Sequence, residues 1–223
     1  MNTVSVNEKD IKTVRLGWSE VEGHDCLKRA IEVALVDSHP IAIFANQHSC
    51  AGELVRRAAD AAKARGVPFQ AVVYPVCPCG NYGSFYDECN CSVKTIERHL
   101  GKMASRRGEF HIWIESIERP PTGRPEPPEN LDAVMERVEK ARGMEPPSSA
   151  GIEKSELFIV YRREFRPTLV DVMIAKRVAE SVARLDGRAE VEDAHIAEAL
   201  QYGFLTCPLV KDLASVETVE VKA

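Results

Sequence analysis

Apolar residues recur at helical spacing from Leu27 through Ala30, Ile31, Ala34 and Leu35, with Lys28, Arg29 and Glu32 between them. That spacing predicts an amphipathic helix over 24–37. Pro40 follows, and Ile41-Ala42-Ile43-Phe44 reads as a short buried strand. A turn over 45–49 leads into a second helix over 51–65, carried by Leu54, Ala58, Ala61 and Ala62 and stopped by Gly66. Phe69 to Tyr74 reads as a second apolar strand. Val93, Ile96, Leu100 and Met103 predict a third helix, and alternation over 110–117 through Ile112, Ile114 and Glu115 predicts a third strand. Helices alternating with strands predict an α/β layer with a parallel sheet.

Beyond residue 118 the pattern changes. Residues 119–129 hold Pro120, Pro121, Pro125, Pro127 and Pro128, which no regular element tolerates. The chain therefore divides into an α/β core over 1–118, a linker over 119–129, a helical domain over 130–205 and a tail over 206–223. Leu131, Val134, Met135, Val138 and Ala141 form one helix face of the second domain. A loop over 146–151 follows. Leu169 to Leu185 is a long apolar helix closed by Asp186-Gly187, and Val191 to Leu200 is the last.

The chain has 223 residues, 44% of them hydrophobic and 28% charged, enough to bury a core. Its formal net charge of -5 argues against a generally basic nucleic-acid binder. No apolar run approaches the ~20 residues that span a bilayer, so no membrane partner is expected. Residues 1–13 are polar and lack the apolar centre of an export signal, which points to the cytoplasm, where thiols stay reduced.

That compartment changes the meaning of the cysteines. Cys77-Pro78-Cys79 and Cys89-Asn90-Cys91 face each other across a short loop with Gly80 and Gly83. Four thiolates gathered by a tight hairpin suit a tetrahedral soft-ligand site, with zinc as the default occupant and iron or an iron–sulfur cluster as the alternatives. Without metal the four would be reduced thiols or two disulfides, and disulfides are disfavoured by the reducing compartment. Cys26, Cys50 and Cys207 are scattered and read as small core residues.

An apolar strand ending in Cys-Pro-Cys-Gly-Asn-Tyr-Gly, then Cys89-Asn90-Cys91-Ser92 and a helix, resembles the magnesium-chelatase-like AAA+ ATPases, in the branch of the competence protein ComM. Trp18-Ser19-Glu20-Val21-Glu22-Gly23-His24 is similar to that family's opening segment. Leu185-Asp186-Gly187 with Val191, His195-Ile196 and Glu198 to Tyr202 is similar to the end of its lid. The resemblance implies a reduced AAA+-like core, of the P-loop NTPase type, with flanking helices and a C-terminal helical lid. It also implies three parallel strands in the spatial order third–first–second.

The nucleotide machinery of that family is not matched. Its phosphate loop reads G-x-x-x-x-G-K-[ST], whereas this chain has Ala45, Asn46, Gln47, His48, Ser49, Cys50, Ala51 and Gly52. Ala51 stands where the lysine that meets the phosphates belongs. Only a short turn separates the second helix from the strand at Phe69, where the family carries its acidic strand. The family's sensor aligns with Pro75, its arginine-bearing segment with 104–111, and its lid arginine with Ile174. No ATP is therefore expected.

Three functional readings follow. The first is a pseudo-ATPase: a zinc-stabilised scaffold that binds a protein partner or forms a homo-oligomer. The second is a nucleic-acid-associated module, favoured by Lys94, Arg98, His99, Lys102, Arg106 and Arg107. The third is an enzyme using His48, Ser49 and Cys50, which lie where α/β proteins place ligands. The shortening also strips the Phe69–Tyr74 strand of its outer neighbour. A second copy is preferred as its cover, ahead of the N-terminal arm or the alternating stretch Val216 to Val221.

Overall fold

The computed structural model describes residues 4–5, 17–116, 129–207 and 209. The proline-rich stretch up to residue 128 and Val216 to Val221 lie outside the described residues. The elements in order are β1 (Val4–Ser5), α1 (Asp25–Val36), β2 (Ile41–Ala45), α2 (Ala51–Ala64), β3 (Ala71–Pro75), α3 (Val93–Ala104), β4 (Ile112–Ser116), α4 (Leu131–Arg142), α5 (Glu156–Phe165), α6 (Leu169–Leu185) and α7 (Asp193–Gln201), with short 3-10 turns between.

All pairings are parallel and the strand order is β1–β3–β2–β4. The three longer strands thus lie in the expected order, with β2 central. Ile41 is level with Ala71 on one side and Ile112 on the other. The outer edge of β3 corrects an expectation. Val4 and Ser5 pair with Ala71 and Val72, so the chain's own N-terminal arm, not a second copy, supplies the partner there. A two-residue strand satisfies only the first part of that edge, and Val73 to Pro75 extend beyond it.

Every residue of β2 is buried, as a strand covered on both faces must be. Its side chains alternate between two apolar layers. Ile41, Ile43 and Ala45 join Leu27, Ile31, Leu54, Met135, Val138, Val178 and Val182 in the larger core. Ala42 and Phe44 join Tyr74, Leu100, Phe110, Trp113 and Cys207 in the smaller one. Phe44 stacks on Trp113 at 5.9 Å, and Phe110 and Phe204 meet Trp113 edge-on at 5.3 and 5.0 Å. α3 covers this second layer with Ile96, Leu100 and Met103.

The helices after the proline-rich stretch pack on those before it and share the larger core. Their ends follow from local chemistry. The Asn130 side chain accepts from Asp132 N–H to begin α4, and Thr168 and Asp171 form a reciprocal capping box at α6. Arg142 donates to the carbonyls of Leu35 and Val36 at 2.9 and 2.7 Å, satisfying the otherwise unpaired end of α1.

One buried polar chain ties the sheet to α6. Ser181 Oγ donates to Asp37 Oδ2 at 2.5 Å and lies 2.8 Å from His39 Nε2. With its proton committed to the carboxylate, the hydroxyl accepts from His39 Nε2–H. His39 Nδ1 is then an acceptor, filled by His111 Nδ1–H at 2.9 Å. His39 is fully buried. Desolvation, reinforced by His111 and Arg177, holds it neutral and lowers its pKa to about 3.

Candidate metal centre

β3 leads through Val76 into the cysteine loop, and α3 begins just after Cys91, with the Ser92 side chain accepting from Thr95 N–H. The loop is built of turns rather than of paired strands. Gly80 and Gly83 adopt φ of 81° and 72°, in the left-handed region open to glycine. Gly80 N–H donates back to the Cys77 carbonyl at 3.0 Å, closing a turn that returns Cys79 towards Cys77.

The four thiols converge. Their sulfur atoms all lie within 4.8 Å of one another. Cys77 is 3.3 Å from Cys79 and 3.6 Å from Cys89, and Cys79 is 3.6 Å from Cys89. Four sulfurs at ~2.3 Å from a tetrahedral ion stand about 3.8 Å apart. The observed spacings fall near that value and well beyond the ~2.05 Å of a disulfide. A soft four-sulfur donor set of this shape can hold a metal ion. The thiols are not equivalent. The Asn81 N–H, 3.5 Å from the sulfur, is the main influence drawing Cys79 down to about 7. Burial pushes Cys89 up to about 12, with Cys77 and Cys79 adding to the effect. A cation among them would relieve the mutual repulsion that keeps the later protons on.

The β2–α2 loop is locked to this site. Gln47 N–H donates to the Gly80 carbonyl at 2.8 Å, and the Gln47 amide donates to Asn81 Oδ1. His48 Nε2 meets Asp87 Oδ2 at 2.7 Å, and its ring lies 5.4 Å from that of Tyr86. Asn46 is buried, and its Oδ1 accepts from His48 N–H at 3.2 Å. The partners are far apart in sequence, so periodicity carries no trace of these contacts. A Cβ on Gly80 would stand 3.3 Å from Gln47 Cβ. Gly80→Ala should therefore lower stability by about 1–2 kcal/mol through its left-handed φ alone, with crowding added. Gly101→Ala, with open space around it in α3, should be neutral or mildly stabilising. Denaturant unfolding of the two variants side by side checks this.

The remaining candidates disperse. Ser49 Oγ accepts from Ala51 N–H at 3.2 Å at the start of α2, while His48 is held by Asp87, so the His48-Ser49-Cys50 stretch splits between two tasks. Cys50 is half-buried and precedes the first residue of α2. Of the other two cysteines read as core, Cys207 is buried, but Cys26 is exposed on α1, which corrects its assignment. Among the basic residues, Arg106 pairs with Glu109, Arg107 with Asp171, and His99 Nε2 with the Pro75 carbonyl at 2.9 Å. Lys94, Arg98 and Lys102 lie exposed at successive i, i+4 positions of α3. The loop also exposes Tyr82, Phe85 and Tyr86, the last two by 63% and 71%. No helix of the described residues is long and apolar enough to cross a membrane.

No protein-family model matches the chain, and no curated protein matches it.

Proposed function

We propose that this chain is a metal-stapled binding module, a pseudo-ATPase related to the magnesium-chelatase-like AAA+ proteins, that presents a rigid aromatic loop to a partner and hydrolyses no ATP. The four-thiol cluster carries the reading. Its loop is tied to Gln47 and His48, the residues that stand where a phosphate loop would run. Those groups are spent on fixing the cysteine loop, and Ala51 offers no charge for a phosphate. Zinc is the occupant that a four-thiolate tetrahedral site favours. Tyr82, Phe85 and Tyr86 are then held in fixed positions in solvent, as the anchors of a protein interface are. A second reading rests on Lys94, Arg98 and Lys102, which extend a basic stripe along α3 after the aromatic loop. That arrangement suits the backbone and bases of a single-stranded nucleic acid.

Metal analysis with native mass measurement should find about one zinc per chain. Calorimetric titration with ATP and magnesium should give no binding at micromolar concentrations. A folded, metal-free protein under reducing conditions, or a tight magnesium-dependent nucleotide site, would sink the proposal. Salt-dependent binding to an oligonucleotide, lost on replacing Lys94 and Arg98 with Glu, would select the second reading.

A further inference from the structure

We infer that the four-thiol site is a peroxide-sensitive staple, in which oxidation of Cys79 and Cys89 to a disulfide releases the metal and unties the aromatic loop. The inference rests on the reading of this cluster as a metal site. The four cysteines divide by access. Cys77 is buried, Cys79 is exposed, and Cys89 and Cys91 are half-buried. An oxidant arriving from solvent therefore meets Cys79 first. Its nearest sulfurs are Cys77 at 3.3 Å and Cys89 at 3.6 Å, with Cys91 within 4.8 Å. Only Pro78 separates Cys77 from Cys79, so a bond there would close a very small ring through a stiff residue. Cys89 approaches from the far end of the loop, free of that constraint.

The chemistry balances with a peroxide as the oxidant. The Cys79 thiolate attacks one oxygen of hydrogen peroxide and breaks the O–O bond. It becomes a sulfenic acid, and the hydroxide that leaves takes up a proton as water. The Cys89 thiolate then attacks that sulfur. The S–S bond forms, and a second hydroxide departs and is protonated to water. Two thiolates lose two electrons, one peroxide gains them, and two protons are consumed.

The consequence follows from where the cysteines sit. Cys77 lies just past the end of β3, and Cys91 just before the start of α3. While all four thiolates share one ion, the loop is fastened to both elements. A Cys79–Cys89 bond joins the loop only to itself. Cys77 and Cys91 are left as two donors, too few to retain the ion. Tyr82, Phe85 and Tyr86 then ride on a loop held to the body by the contacts of Gly80, Asn81, Tyr86 and Asp87 with Gln47 and His48.

The test treats the purified, zinc-loaded full chain with hydrogen peroxide in the presence of a chromogenic chelator. The expected result is release of the zinc with loss of two thiols per ion. Non-reducing peptide mapping should show Cys79 linked to Cys89, and a dithiol reductant with added zinc salt should reverse the change. A Cys26→Ser variant, altered at an exposed thiol outside the site, should respond identically. Retention of zinc in a large excess of peroxide, or release through any other cysteine pair, overturns the inference and leaves the metal reading standing. A reduced, folded protein that takes up no zinc overturns both.

Discussion

Replacing Cys89 with serine is expected to lower stability by more than about 4 kcal/mol, whereas Cys26→Ser should change it by less than about 0.5 kcal/mol. Cys26 is exposed on α1. Cys89 is one of four sulfurs within 4.8 Å of one another, on a loop without paired strands. Such a loop has few apolar contacts of its own: Tyr82, Phe85 and Tyr86 face solvent. An ion joining the four thiols would add to the contacts with Gln47 and His48 in ordering residues between Cys77 and Cys91, and its affinity would appear directly as folded-state stability. Serine retains the size of cysteine but offers a poor ligand for a soft ion. A chelator added to the unmodified protein should reproduce most of the loss. Thermal unfolding with and without chelator checks both effects. Equal midpoints for Cys89→Ser and Cys26→Ser would mean that the loop holds its shape without a metal.

The cysteine set was legible because its pattern is local: two Cys-x-Cys pairs with glycines between them need no knowledge of the rest of the fold. Leu169–Leu185 was equally plain, since its apolar residues keep helical register over seventeen residues. The helix α5 shows the opposite case. Phe158, Tyr161 and Phe165 line its core side at i, i+3, i+7, but Leu157, Ile159 and Val160 are exposed beside them, and these extra apolar residues mask that period in the sequence. Cys26 was misread because composition says that cysteines tend to be buried, while its place beside Asp25 at the exposed start of α1 decides otherwise. β1 escaped notice because two residues carry no periodicity at all. The lock between Gln47, His48 and the cysteine loop was invisible for another reason. It joins residues more than thirty apart in sequence, and each is unremarkable alone. The His39–His111–Ser181 chain shares that property, and it governs a second large effect.

Stability should fall steadily as the pH drops from about 6.5, and a His39→Gln variant should fall less steeply. Burial lowers His39 from an ordinary 6.5 to about 3 in the folded protein, and His111 and His24 are lowered in the same direction, chiefly by burial. Below 6.5 the unfolded chain takes up protons that the folded chain refuses. The stability is therefore complete above pH 6.5 and is lost as the pH falls towards the folded value. One such histidine contributes a slope of up to about 1.4 kcal/mol per pH unit. A proton forced onto His39 Nδ1 would also oppose the His111 N–H that now points at it, 2.9 Å away, and so break the link between the sheet and α6. The lowered carboxylates Glu109, Glu129 and Glu153 act only below their ordinary 4.5, so the interval above that belongs to the histidines and the thiolates. The variant separates these two. His39→Gln leaves the cysteine site untouched and should cost about 1–3 kcal/mol at neutral pH, because Ser181 and His111 lose a fitted partner. Urea unfolding of both proteins at about pH 7.5 and about pH 5 measures the two slopes. Parallel slopes would show that His39 is not the group that resists protonation, and would move the acid sensitivity to the metal site.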